Sequence, residues 1–314
     1  MLTILRPVRN VYAARMPSLR HALLASVIPR LRRAGDLDSE PAERARVEAD
    51  HRAQDRSLPT RGTPGFAKSW DVTATDIGFP SHVLTPRLRH VHRTLYYVHG
   101  GAFMAPIDAV HVRYATRLAD AIGARVVLPD YPLAPEHTWV DSHDALVADA
   151  ARWSGEQGGM VLAGDSAGGG LALAMAQSMR DRGLSPASHL VLHAPWVDLT
   201  TSTPETRAVD AIDPWLFYSK LEAYALWWAG SADDLGRPEV SPALADLAGL
   251  PKALMLYGTR DLLHPGCRLL ARRAVEAGWD LTSIEEPDLI HVYGLLPLIP
   301  EARRAFTQVV DFLR

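Results

Sequence analysis

Residues 160–176 read MVLAGDSAGGGLALAMA: an apolar run, Met160 to Ala163, leads into Gly164-Asp165-Ser166-Ala167-Gly168, and an alanine-rich helical pattern leads out. Small residues crowd around one hydroxyl. A serine on a sharp strand-to-helix turn has strained backbone angles, and only small neighbours let strand and helix approach closely. Taken alone, a G-x-S-x-G match arises by chance on the order of one time in ten in a chain of this length, and its serine could simply cap the helix. A phosphate loop is excluded, because the glycine run lacks the Gly-Lys-Ser/Thr ending that a nucleotide site needs.

The flanking chain supplies the context. "TLYYV" (94–98), "ARVVLPDY" (124–131), "GMVLAG" (159–164), "HLVLHAPWV" (189–197), "KALMLYG" (252–258) and "LTSIEE" (281–286) read as strands. Helical patterns fill His111–Ile122, Asp141–Trp153, Ala167–Arg182, Pro265–Ala277 and Glu301–Leu313. Short strands alternating with longer helices imply right-handed crossovers and a mostly parallel sheet with helices on both faces. "WDVTATDI" (70–77) and "HVLT" (82–85) read as an opening strand pair. Residues 203–238 break the rhythm with a helical, aromatic-rich pattern, and are expected to form a cap insertion whose core holds Trp215, Phe217, Tyr218, Tyr224, Trp227 and Trp228. The expected organisation is an N-terminal helical cap segment, 1–65, and a main α/β domain, 66–314, with 203–238 as the second cap element.

Apolar residues make up 47% of the 314-residue chain and charged residues 22%, so a folded protein with a substantial core is expected. The net charge of -3 gives no global reason to bind nucleic acid or an anionic membrane. Arg6, Arg9, Arg15, Arg20, Arg30, Arg32 and Arg33 all precede the first acidic residue, Asp36, a pattern shared by transit peptides and surface-seeking helices. Leu19, Leu23, Leu24, Val27, Ile28 and Leu31 fall at helical spacing in the same stretch, which favours an amphipathic helix covering the main domain. No apolar run approaches the length of a membrane span, and the one cysteine, Cys267, excludes an internal disulfide. A cytoplasmic protein is the expectation.

In open α/β sheets ligands bind beyond the carboxyl ends of the strands. Three positions there carry chemistry. Ser166 is the first. His99-Gly100-Gly101, after "YYV", is the second, where a flexible turn can aim backbone N–H groups at an oxyanion. Asp261 and His291, after the two late strands, are the third: a serine hydroxyl needs a base to take its proton and an acid to orient that base. The chain order Ser166, Asp261, His291 is the α/β-hydrolase order. His264 is a rival base because it neighbours Asp261. His99 is expected to hold its loop by hydrogen bonds, and His90 and His92 to be solvent-exposed rather than a metal pair.

His99-Gly100-Gly101-Ala102-Phe103, Asp130-Tyr131-Pro132-Leu133-Ala134-Pro135-Glu136 and Gly164-Asp165-Ser166-Ala167-Gly168-Gly169 together resemble the signatures of the hormone-sensitive-lipase-like esterases of the α/β-hydrolase superfamily, over roughly Leu95 to Arg314. The resemblance implies an α/β-hydrolase fold with a mostly parallel eight-stranded sheet and a helical cap, no metal or organic cofactor, and hydrolysis of carboxylic esters with short to medium acyl chains. It places the nucleophile at Ser166, the acid at Asp261, the base at His291, and oxyanion donors at the amides of Gly101, Ala102 and Ala167. The partner is then a small-molecule ester; homodimers are suggested, although no stretch specifies an interface. A lactone hydrolase or acyltransferase with the same triad is the close alternative. A non-catalytic ligand receptor is the distant one, opposed by the presence of His291. The chain departs from the family pattern at Ala102, where a third glycine is usual, at Leu262-Leu263-His264, where proline and a second carboxylate usually follow the acid, and at Val292-Tyr293, where Gly-Phe is usual.

Overall fold

The computed structural model describes residues 9–12, 16–31, 35–55 and 57–314; Arg6, Arg15, Arg32 and Arg33 of the basic segment lie outside them. The N-terminal part forms strand β1 (Arg9–Tyr12), helices α1 (Leu19–Leu31), α2 (Glu40–Ala53) and α3 (Phe66–Ser69), and strands β2 (Trp70–Asp76) and β3 (Pro80–Pro86). Next come β4 (Arg93–Val98), α4 (Ala109–Ile122), β5 (Ala124–Pro129), α5 (His143–Ser154), β6 (Met160–Asp165), α6 (Ser166–Asp181) and β7 (His189–His193). The chain ends with α7 (Glu205–Val209), α8 (Tyr218–Ala229), β8 (Ala253–Arg260), α9 (His264–Ala277), β9 (Leu281–Ile290) and α10 (Pro300–Phe312).

The strands lie in one sheet in the order β1-β9-β8-β7-β6-β4-β5-β3-β2. β4 to β9 run parallel, and the β2–β3 hairpin joins β5 antiparallel. These are the eight strands expected for an α/β-hydrolase sheet. A ninth, unforeseen in the sequence, is the four-residue β1, paired parallel to β9 with Arg9 opposite Thr282. The central strands are buried along their length, Thr94–Val98 in β4 and all of β6, because helices cover both faces. Leu146, Leu171, Leu173 and Leu270 belong to the core on one face, and Ala25, Ile28, Val112, Leu118 and Val309 to the core on the other.

Local chemistry places several boundaries. Asp108 caps α4, accepting Val110 N–H at 3.1 Å, while His111 Nδ1 accepts the Asp108 amide at 2.9 Å. Gly123, left-handed at φ 67°, ends that helix. "HLVLHAPWV" yields a strand only to His193: Ala194 turns left-handed at φ 42° and Pro195 has no N–H for the ladder. His90 and His92 sit exposed in the loop before β4, not on a strand.

The 1–65 and 203–238 segments meet over the carboxyl ends of the strands through α2 and α8. Trp227 Nε1 donates to Glu40 at 2.8 Å, Tyr224 Oη donates to Glu43, and Lys220 lies 3.3 Å from Glu43. The earlier helix, α1, goes elsewhere. The Ser18 amide before it donates to Glu301 at 2.6 Å, and His21 Nε2 accepts the Ile290 amide at 3.2 Å, so α1 lies against α10 and β9. Among the described residues no helix is long and apolar enough to cross a membrane.

Candidate active site

Ser166 is the first residue of α6, held left-handed at φ 52° with no spacer after β6. The strain persists because the surroundings permit no other path. A Cβ on Gly168 would come within 2.3 Å of the carbonyl oxygens of Val98 and His99, and one on Gly170 within 1.9 Å of the Trp196 carbonyl. The small residues are therefore a packing requirement. At this helix N-terminus the first amides, Ala167 among them, have no intrahelical acceptor and point away from the helix.

Asp261 follows β8 and His291 follows β9, so adjacent parallel strands deliver both side chains to the rim where Ser166 lies. His291 Nε2 is 2.9 Å from Ser166 Oγ, and His291 Nδ1 is 2.9 Å from Asp261 Oδ2. All three are buried, Asp261 completely. The carboxylate accepts only, so Nδ1 carries the proton and Nε2 offers its lone pair to the serine hydroxyl. Burial pushes the His291 pKa down, but the charge and hydrogen bond of Asp261, with help from Asp213 and Asp165, leave it above its ordinary 6.5. His264 opens α9, and burial pushes its pKa down. The imidazole that meets Ser166 is His291.

The loop after β4 turns through three consecutive left-handed residues, Gly101 (φ 118°), Ala102 (φ 55°) and Phe103 (φ 64°). Gly101 is required there, since a Cβ would lie 2.7 Å from the Ala105 carbonyl. Ala102 adopts a conformation that glycine takes more easily, and Val292, beside His291, does the same at φ 45°. Both stand where the family pattern has glycine. Successive amides in such a turn form a concave donor surface. His99 Nδ1 donates to the Gly100 carbonyl at 2.8 Å, Tyr131 Oη donates to the His99 carbonyl at 2.8 Å, and the His99 and Tyr131 rings stack 4.3 Å apart. Burial pushes the His99 pKa down to about 3, so it stays neutral.

Asp165 carries a contact network that the sequence did not announce, although it sits inside the quoted stretch. Its Oδ1 accepts Tyr97 Oη at 2.8 Å and the Gly100 amide at 3.1 Å, and His111 Nε2 lies 3.5 Å from Oδ2. Burial alone would raise its pKa, but His111 and these hydrogen bonds hold it at about 2. Asp213, also unforeseen, lies beside Asp261 and donates nothing; its oxygens accept amides from both sides of the site. Above the site, Trp215 meets the His291 ring edge-on at 5.6 Å, and Trp228 stacks on Phe103 at 4.3 Å. Of the aromatic group, Tyr224, Trp227 and Trp228 are buried, while Trp215, Phe217 and Tyr218 are half-buried.

Comparison with known proteins agrees with the architecture. The family model described as the alpha/beta hydrolase fold matches residues 95–295. An acetyl-hydrolase of Streptomyces hygroscopicus is 34% identical over 273 residues, covering 85% of this chain and 90% of that protein. The carboxylesterase NlhH of Mycobacterium tuberculosis is 32% identical over 232 residues, 69% of this chain and 71% of that one. The crystal structure of an esterase from the bacterial hormone-sensitive lipase family superposes with a TM-score of 0.78 at 26% identity, covering 96% of this chain and 99% of that one. The strand order and these relatives together make this chain a member of the α/β-hydrolase family, an esterase of the hormone-sensitive-lipase-like group.

Proposed function

We propose that the chain hydrolyses carboxylic esters of small molecules by two-step acyl transfer at Ser166, with short to medium acyl chains as substrates. The observation that carries this is the unbroken line from Ser166 Oγ to His291 Nε2 and from His291 Nδ1 to Asp261 Oδ2, each link 2.9 Å. Ser166 Oγ attacks the ester carbonyl as His291 takes its proton. The developing oxyanion is held by the amides of Gly101, Ala102 and Ala167. His291 then returns the proton to the departing alcohol, leaving an acyl-serine. Water, deprotonated by the same imidazole, attacks that ester and frees the acid and the hydroxyl. Asp261 keeps the imidazole in the required tautomer and stabilises the imidazolium. No cofactor enters these steps.

The cap in this reading is α2 together with 203–238, while α1 belongs to the main domain. Trp215 and Trp228 bring it close to His291 and Phe103, where it would select acyl and alcohol groups. The name of the Streptomyces relative, an acetyl-hydrolase, supports the short end of the acyl range. A panel of p-nitrophenyl esters of increasing chain length beside several lactones, run on wild type and Ser166→Ala, tests the proposal. Turnover greatest on short esters, removed by the substitution, is expected, together with covalent labelling of Ser166 by a fluorophosphonate. Near wild-type turnover by Ser166→Ala would overturn it, and preference for lactones would favour the alternative hydrolase.

A further inference from the structure

On the 203–238 segment, against the loop after β8, sits a second buried carboxylate. Asp213 Oδ1 accepts the amides of Trp215 at 2.8 Å and Leu216 at 3.1 Å, closing an Asx turn, and Oδ2 accepts the amide of Leu262 at 2.6 Å. The next amide, Leu263, donates to Asp261 Oδ1 at 2.9 Å. Two carboxylates from different parts of the chain therefore grip consecutive amides of one loop. Trp215, fixed by the first of these bonds, packs edge-on against His291. Arg260 adds a further tie, its Nε donating to the Ile212 carbonyl at 2.7 Å.

The Leu262 bond depends on this chain's departure from the family pattern. Proline, usual after the acid, has no N–H to give. Leucine supplies the donor that Asp213 takes.

We propose that Asp213 is a positioning residue for ester hydrolysis: it locks the 213–216 turn onto the Asp261 loop, sets Trp215 against His291, and places a second negative charge beside the imidazole. Asp213 can do this only if Ser166, His291 and Asp261 carry the chemistry, the reading given above. The charged groups that act on it are Asp261 and His291, while Arg260 binds the carbonyl of the preceding residue, Ile212; Asp165 is the remaining carboxylate acting on the imidazole. Burial and the charge of Asp261 push the Asp213 pKa up to about 6, against the pull of its amide donors, so it is mostly ionised at pH 7. An anion beside His291 favours the imidazolium, which makes the base stronger and moves the acid limb of activity upward.

The test is the pH profile of kcat/KM for p-nitrophenyl acetate in Asp213→Asn and Asp213→Glu, with circular dichroism as a fold control. In Asp213→Asn the acid limb should move down by about half a unit, and plateau kcat should fall about tenfold with KM nearly unchanged. Asp213→Glu should restore the limb, because the charge returns, while kcat stays low because the longer arm misplaces the turn. A folded Asp213→Asn protein whose limb stays at the wild-type pH overturns the proposal, whatever its kcat. Should that variant not fold, Asp213→Ser, which keeps an acceptor for the Trp215 amide, is read by the same criterion. Ser166→Ala separates the two claims: near wild-type turnover there defeats the triad, whereas a Ser166→Ala protein that has lost nearly all turnover, beside an unmoved limb in the Asp213 variants, defeats this proposal alone.

Discussion

The amide of Gly100 donates to Asp165 Oδ1 at 3.1 Å, which ties the loop after β4 to the residue immediately before Ser166. Nucleophile turn and amide-bearing loop are thus held to each other by one buried carboxylate, not only by their strands. Asp165→Asn should therefore lower kcat/KM by roughly one to two orders of magnitude while leaving Ser166 in place. Breaking a buried charged network should also remove about 2–4 kcal/mol of stability. Steady-state kinetics and urea unfolding check both, and wild-type kinetics in a folded variant would show that the tie is dispensable.

Glycine at 168 is fixed by contact with two carbonyl oxygens that a Cβ would approach to 2.3 Å. Backbone atoms cannot swing aside as a flexible side chain would. Gly168→Ala is expected to cost at least about 3 kcal/mol or to prevent folding. Gly183→Ala, where no atom lies within 4 Å, is the control for glycine removal in an open, left-handed position and should cost only about 1 kcal/mol. Thermal or urea denaturation of the pair decides the matter.

Three buried histidines make the fold acid-sensitive. Burial pushes the pKa of His99 to about 3 and those of His143 and His193 to about 4. Each folded value lies below the unfolded 6.5, so the unfolded chain takes up protons first as pH drops. The stability they lend is whole above about pH 6.5 and is lost as pH falls toward 4, at about 2–3 kcal/mol each. Urea unfolding at pH 7 and pH 4.5 should differ by several kcal/mol; equal midpoints would contradict the assignment.

Glu43 anchors α2 to α8 through Tyr224 and Lys220. Removing the carboxylate in Glu43→Ala leaves a phenol hydroxyl without its acceptor, at about 1–3 kcal/mol. The loss should be local. Amide exchange is expected to rise across residues 40–53 and to stay unchanged in β4 and β6, and a uniform rise through the sheet would show that α2 is an integral part of the main core.

Much of this was legible beforehand because parallel strands buried on both faces read as unbroken apolar runs and their helices as 3.6-residue periods. Position after strands picks out Ser166, Asp261 and His291 as candidates, and the sheet brings these three side chains within hydrogen-bond distance, Ser166 to His291 and His291 to Asp261. What escaped has physical causes. The strand β1 is four residues long and gains its meaning only from pairing with β9, so no local pattern marks it. "HLVLHAPWV" kept its apolar composition past the point where Pro195 ends the ladder. The N-terminal segment reads as one unit in sequence, yet α1 and α2 pack on different parts of the molecule, a division made by Glu301, His21 and Glu43 contacts between residues 181 to 283 positions apart. Asp165 and Asp213 are single carboxylates whose partners are mostly backbone amides, and an amide has no sequence signature.

Because α6 begins in contact with the carbonyls of Val98, His99 and Trp196, its first turn is a place where inheritance has almost no freedom. On the proposed reading, diversification of substrate range falls instead on the 203–238 segment, where Trp215 packs on His291 and Trp228 stacks on the Phe103 loop. An engineer seeking a new acyl preference should randomise there and leave 164–170 alone.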